Sequence, residues 1–108
     1  MKLSMVKKTK QYDSLIKEGK KTVNTHFVCY CLPSLFFSLN ETRVGISVGK
    51  KLGNAVFRNK YKRIIRSIIR QNEVIINDKY VIIIMRPACI NEKYEIIESK
   101  LNSILKGV

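Results

Sequence analysis

The sequence contains no tryptophan, one histidine, two prolines and five glycines in 108 residues. So few chain breakers, beside an apolar share of 45%, exclude a disordered basic tail and predict one packed domain over 1–108. A chain of this size can bury about 65% of its unfolded surface. The three cysteines have no metal-ligand spacing and form no even set for disulfides, which suits a reducing cytoplasm. No apolar run approaches the ~18 residues of a membrane span, and no signal-peptide pattern is present, so no membrane association is expected. Acids are scarcest in proportion: eight Asp and Glu against 21 Lys and Arg give a net charge of +13. That balance, with a pI near 9.9, points to a polyanionic partner. His26 has no acid or nucleophile close in sequence, and neither a Cys-His pair nor a carboxylate cluster emerges, so no catalytic residues and no metal ligands are expected in the chain.

The missing acids leave a gap. From Thr42 to Asn72 there is no Asp or Glu, while Arg43, Lys50, Lys51, Arg58, Lys60, Lys62, Arg63, Arg66 and Arg70 all fall inside that window. Within it, Gly53 ends one segment and Asn54 can accept the first free N–H groups of a helix as its N-cap. At about 100° per residue, Arg58, Asn59, Lys62, Arg63, Arg66 and Arg70 lie within an arc of roughly 140°. Phe57, Tyr61, Ile64, Ile65 and Ile68 take much of the opposite side, so the helix has one cationic and one dry face. A merely solvated face would mix signs at i,i+4, whereas here like charges repel with no acid to relieve them. Four of these cations are arginines, whose planar fork can hold a phosphate bidentately. The face reads as a nucleic-acid contact.

The run Gly53-Asn54-Ala55-Val56-Phe57-Arg58-Asn59-Lys60-Tyr61-Lys62-Arg63-Ile64-Ile65-Arg66 resembles the RNR signature of the protein component of bacterial ribonuclease P, A-x-x-R-N-x-x-K-R-x-x-R, with all six fixed positions present. Arg43 to Val48, followed by Lys50 and Lys51, resembles the strand that precedes the motif in that family. Tyr61 stands where an aliphatic residue is commoner. The resemblance implies a cytoplasmic ribonucleoprotein endonuclease of tRNA processing. Its RNA subunit performs the hydrolysis with Mg²⁺ held mainly by RNA and substrate, removing the 5′ leader of precursor tRNA. It implies two partners, that RNA subunit and precursor tRNA. Lys50, Lys51, Asn54, Arg58, Asn59, Lys62, Arg63, Arg66 and Arg70 are expected to bind the RNA subunit. Tyr12, Ile16, Val28, Tyr30 and Arg86 are expected to line a cleft for the leader, with Ile16 where the family often has Phe. A generic structured-RNA-binding protein, for example a ribosome-associated one, would explain the charge but not the full motif. DNA is not expected as a partner, because no preceding helix and tight turn complete a helix-turn-helix.

The flanks predict the remaining elements. Residues 1–8, with Lys2, Lys7 and Lys8, read as a mobile basic arm. Thr9 can cap a helix ending at Gly19, with Tyr12, Leu15 and Ile16 on one stripe. Lys20 and Lys21 read as a polar link to a strand from Asn24 to Leu32. In that strand Phe27, Cys29 and Cys31 alternate with Val28, Tyr30 and Leu32. Both sets are apolar enough to leave the core face open, and the resemblance sends Val28 and Tyr30 to the cleft. Leu35 to Leu39 is an apolar run that the family does not fix; its placement stays open, extension of the hairpin before a turn at Asn40-Glu41 being one option. In the strand Arg43 to Val48, Gly45 and Ser47 would let a ligand backbone approach. Asn77-Asp78 marks a turn, and Tyr80 to Met85 a strand buried on both faces. Arg86-Pro87 closes that strand, Met85 standing where family members often carry a second basic residue before the proline. Asn91 is expected to cap a last helix with Glu92 and Glu95 in its first turn and a stripe of Tyr94, Ile97, Leu101, Ile104 and Leu105. The expected fold is α/β, a mixed sheet of about four strands with three helices in the order α-β-β-β-α-β-α. The resemblance implies a left-handed βαβ crossover.

Overall fold

A strand of seven residues, Lys79–Met85, is the centre of the molecule because its composition permits burial on both sides. In the computed structural model, which describes residues 4–5, 9–37 and 41–107 with side chains from Tyr12 onward, the elements in chain order are β1 (Ser4–Met5), α1 (Thr9–Glu18), β2 (Lys20–Val23), β3 (Phe27–Pro33), β4 (Arg43–Ser47), α2 (Ala55–Arg70), β5 (Lys79–Met85) and α3 (Tyr94–Lys106). The five strands form one sheet in the order β1-β4-β5-β3-β2. β5 pairs parallel to β4 and antiparallel to β3, with Tyr30 opposite Ile82 and Ile82 opposite Gly45. The α/β class, the three helices and the order from α1 onward agree with the sequence. The short parallel pairing of Ser4–Met5 with Arg43 and Val44 is an addition. Thr9, expected as the cap, is the first residue of α1 itself, and the rest of the basic arm at 1–8 lies outside the described residues.

The sheet separates two cores. On one face Phe27, Cys29, Cys31, Val44, Ile46, Val81, Ile83 and Met85 pack under α2 and α3, which contribute Tyr61, Ile65, Ile68, Ile69, Ile97, Leu101, Ile104 and Leu105. On the other, α1 brings Leu15 onto Leu32, Tyr80 and Ile82, with Tyr12, Tyr30, Phe37 and Ile84 packed around them. The strand alternation that the sequence left open is thereby resolved: the Phe27 row faces α2 and α3. Burial raises the Cys29 thiol to about 12, with Cys31 adding to the effect, and Cys89 to about 11. These thiols are core fillers.

Three local readings give way to specific interactions. Lys20–Val23 is a strand rather than a link, because cross-strand pairing of Lys21 with Tyr30 and Val23 with Val28 outweighs its polar composition. The hairpin turns where Asn24 Oδ1 accepts from the N–H groups of His26 and Phe27 at 2.9 and 2.8 Å. The segment Ser34–Phe37 is a 3-10 turn and not a continuing strand. Ser34 N–H donates to the Asp78 carbonyl at 2.8 Å, and the Phe37 ring stacks on Tyr80 at 4.5 Å. Ser38, Leu39 and Asn40, the rest of that run and the start of the turn after it, lie outside the described residues.

Asn91 does not cap α3. It takes a left-handed φ of 60°, which Asn tolerates, and its N–H donates to the Tyr61 hydroxyl at 3.2 Å. Glu92 turns back to His26 Nε2 at 3.1 Å, so α3 begins at Tyr94, which is exposed instead of lying in the core stripe. His26 is buried between Glu92 and the Thr25 hydroxyl, a structural role.

Two glutamates thus carry structural hydrogen bonds. Glu41 accepts from Tyr80 Oη at 2.7 Å and from Arg43 Nε at 2.8 Å, and these bonds lower its carboxyl pKa. The bond from His26, and then the Lys93 N–H, lower that of Glu92. A carboxyl with a depressed folded-state pKa contributes stability that is fully present above its unfolded value, about 4.3, and is lost as pH falls through the folded value. The melting temperature is therefore expected to fall on acidification below about pH 4. The fall should be smaller in the Glu41→Gln, Glu92→Gln double variant, and equal acid slopes in thermal melts would remove this role.

Candidate nucleic-acid interface

Helix α2 starts where the sequence indicates: Asn54 Oδ1 accepts from the Phe57 N–H at 2.9 Å. That start fixes the rotation of every later residue. Tyr61, Ile65, Ile68 and Ile69 are buried in the larger core, with Phe57 and Ile64 half-buried beside them. Asn59, Arg63 and Arg70 are exposed, and Arg58, Lys62 and Arg66 are half-buried at the flanks of the same outer face. Asn59, Lys62, Arg63 and Arg66 line, with Val56, a hollow of about 490 Å³. Lys50 and Lys51 are exposed in the 3-10 turn between β4 and α2, and Asn54 is exposed at the cap. The nine residues expected to bind an RNA subunit thus occupy one contiguous run of turn, cap and helix.

Among the described residues the ion pairs found join His26 to Glu92 and Arg43 to Glu41. The α2 cations therefore face one another without a carboxylate. The Arg58 Nε is buried with no hydrogen-bond partner among the described residues, an arrangement that costs stability. Docking of the dry face on the sheet holds the helix against this repulsion.

The second candidate surface lies on the α1 side of the sheet. Cross-strand register places Val23, Val28, Ile84 and Ser47 in one row and Lys21, Tyr30, Ile82 and Gly45 in the next. Leu15 covers the far end, while Val28, Tyr30, Ser47 and Ile84 remain half-buried and Val23 is 49% exposed. The result is a partly open apolar shelf. Tyr12 is half-buried at its edge, with burial raising its phenol pKa, and Ile16 is 50% exposed. Arg86 closes the same end of the sheet, its Nη1 donating to the Asn24 carbonyl at 3.0 Å. Tyr12, Val28, Tyr30 and Arg86 are thus brought to one face with Ile16 at its rim.

Gly45 departs from expectation. A Cβ there would run into the Tyr12 phenol, so the glycine admits the protein's own ring and not a ligand backbone. Sequence reading also misses Lys21, whose ammonium lies over the Tyr30 ring at 5.9 Å from its centre. Recognising Lys20–Val23 as a strand would have placed Lys21 there.

The shelf and the cationic helix meet where β4 ends, since Ser47 on the shelf is followed closely by Lys50 and Lys51. Neither surface offers a carboxylate set for a divalent cation. Among the described residues no three His, Cys, Asp or Glu side chains cluster in a metal-holding arrangement. Among the described residues no helix is long and apolar enough to cross a membrane.

Comparison with known proteins bears on family and fold. The family pattern described as Ribonuclease P matches residues 1–108. A ribonuclease P protein component of Streptococcus pyogenes serotype M5 (strain Manfredo) is 39% identical over 101 residues, covering 94% of this chain and 82% of that protein. The solved structure of the Staphylococcus aureus RNase P protein superposes with a TM-score of 0.86 at 35% identity, covering 97% of this chain and 94% of that one. The Thermotoga maritima RNase P protein gives a TM-score of 0.84 at 27% identity, covering 97% of both chains.

The contact between Tyr12 and Gly45 can be tested by a double-mutant cycle. Gly45→Ala alone is expected to destabilise the fold by about 1–3 kcal/mol through overpacking. In a Tyr12→Ala background the same change should cost far less. Additive losses in denaturant unfolding would mean that the ring does not sit on the glycine.

Proposed function

The chain belongs to the ribonuclease P protein family, and from that membership we propose that it binds the RNA subunit of ribonuclease P and the 5′ leader of precursor tRNA. Family membership makes it a component of an endoribonuclease of tRNA processing. Hydrolysis is assigned to the RNA subunit, with Mg²⁺ held by RNA and substrate, in the cytoplasm.

The observation that carries the reading is the outer face of α2. Arg58, Asn59, Lys62, Arg63 and Arg66 complete the family motif and share that face with no ion-paired acid among the described residues. A polyanion would relieve their mutual repulsion and release its own counterions on binding. Arginine forks would fix orientation, while Lys50, Lys51 and Lys62 would add charge with less directional demand. Asn54, committed to the helix cap, would act chiefly by placing the face.

The shelf supports the second half of the proposal. Half-buried aromatic and aliphatic side chains bind unpaired bases without regard to sequence, as a variable leader requires. Tyr12 and Tyr30 would provide aromatic surface, Val28 and Ile16 apolar walls, and Arg86 a phosphate contact at the end. Because the shelf and the cationic run adjoin at the end of β4, one protein could hold the leader while its helix engages the RNA. Cations between two RNA chains would also lower phosphate repulsion and so reduce the free Mg²⁺ needed for folding and cleavage.

The test is cleavage of a 5′-leader precursor tRNA by the cognate RNA subunit at low Mg²⁺, with and without the protein. Strong stimulation with correct leader removal is expected, and absence of stimulation by folded, RNA-bound protein would refute the proposal. Two substitutions separate the surfaces. Arg63→Ala is expected to weaken binding to the RNA subunit while shifting stability by less than about 0.5 kcal/mol, as for an exposed side chain. Tyr30→Ala should reduce affinity for leader-bearing precursor more than for mature tRNA, and equal losses would remove the leader assignment.

A further inference from the structure

Tyr94 is 41% exposed, although its spacing in α3 predicts a core position. Its ring forms a wall of a groove of about 370 Å³ between α2 and the start of α3, lined also by Lys60, Arg63, Ile64 and Ser67. Those four residues lie at i, i+3, i+4 and i+7 and so form one stripe along α2. Arg63 also lines the hollow with Asn59, Lys62 and Arg66, so the two depressions share a wall. Lys60, Ser67 and Tyr94 belong to no surface described above.

The groove has a fixed wall. Asn91 N–H bonds to the Tyr61 hydroxyl on α2, and Glu92 bonds to His26, so the segment leading into Tyr94 is tied at two points. Its lining combines an exposed aromatic ring, an aliphatic floor, two cations and a hydroxyl, with no acid. The nearby acids Glu95 and Glu98 line a different hollow on α3.

We infer that this groove takes one unpaired nucleotide of the RNA partner, its base against Tyr94 and Ile64 and its phosphate against Lys60 and Arg63. Charge complementarity selects a phosphate-bearing occupant. The ring selects an unstacked base, because a base inside a duplex has no free face to stack on. Ser67 is placed to exchange a hydrogen bond with the sugar or phosphate. The inference rests on the reading of α2 as an RNA-binding face and extends that face onto α3.

The test measures affinity of the full-length protein for the cognate ribonuclease P RNA, together with base-specific chemical probing of that RNA. Tyr94→Leu is expected to weaken binding by about tenfold, within the range for loss of one stacked base. Tyr94→Phe should restore binding, and thermal melts should be unchanged in both because the ring is exposed. One unpaired base should be protected by the native protein and by Tyr94→Phe, and become reactive again with Tyr94→Leu. Arg66→Ala, outside the groove, controls for the underlying reading. If Arg66→Ala weakens binding and Tyr94→Leu does not, the groove assignment fails and the RNA-binding face stands. If neither substitution weakens it, both fail. A change in self-association with Tyr94→Leu, at unchanged RNA affinity, would reassign the groove to a protein contact and overturn the inference.

Discussion

The fold depends on the burial of β5 from both sides. Tyr80, Val81, Ile82 and Ile83 are at most 1% exposed, and the strand is hydrogen-bonded along both edges. A strand with two apolar faces must be covered twice, and the chain supplies α1 for one face and α2 with α3 for the other. The two candidate surfaces follow from that arrangement. Covering one face completely leaves the outer side of α2 free, while the shorter α1 covers the other face only in part and leaves the shelf.

The same burial explains how a helix with so unbalanced a charge can form. Like charges at i,i+4 work against an isolated helix by a few tenths of a kcal/mol per pair. A single buried Ile contributes about 1.5–3 kcal/mol, and Ile65, Ile68 and Ile69 are all buried on α2. Packing therefore exceeds the repulsion, and the charge pattern is free to answer to a ligand. The polar network at Asn24, His26 and Glu92 has a different part. It ties the β2–β3 turn to the segment before α3, and Asn24 Nδ2 reaches the Lys100 carbonyl at 2.9 Å to extend that tie into the helix.

Helix α2 and strand β5 were legible in the sequence because their signals are local: a cap, a 3.6-residue period and an apolar run. The cationic residues were legible for the same reason, since a helix face follows from spacing alone. What was hidden depends on distant partners. Lys20–Val23 lacks strand composition and is a strand because β3 pairs with it. Asn91 suits both an N-cap and a left-handed turn, and the Tyr61 hydroxyl, thirty positions away, selects the turn. No periodicity brings Tyr12 over Gly45, which takes the docking of α1 across the sheet to achieve. Tyr94 reads as core by spacing, but the delayed start of α3 leaves it at the helix end, outside the packed stripe.

The sheet's edges have a consequence of their own. At one margin Ser4–Met5 pair with Arg43 and Val44 as β1, and the other outer strand, β2, is four residues beginning with two lysines. Lys20 is further held at that edge by its Nζ, which donates to the Gly107 carbonyl at 2.8 Å. Short, charged margins are poor templates for a strand from another molecule. A chain carrying the run Tyr-Val-Ile-Ile-Ile-Met at its centre would otherwise be prone to fibrillar association. Pairing by β3 and β4 along both edges keeps that adhesive segment internal, and the lysines of β2 leave the margin beyond β3 a poor seed for fibril growth.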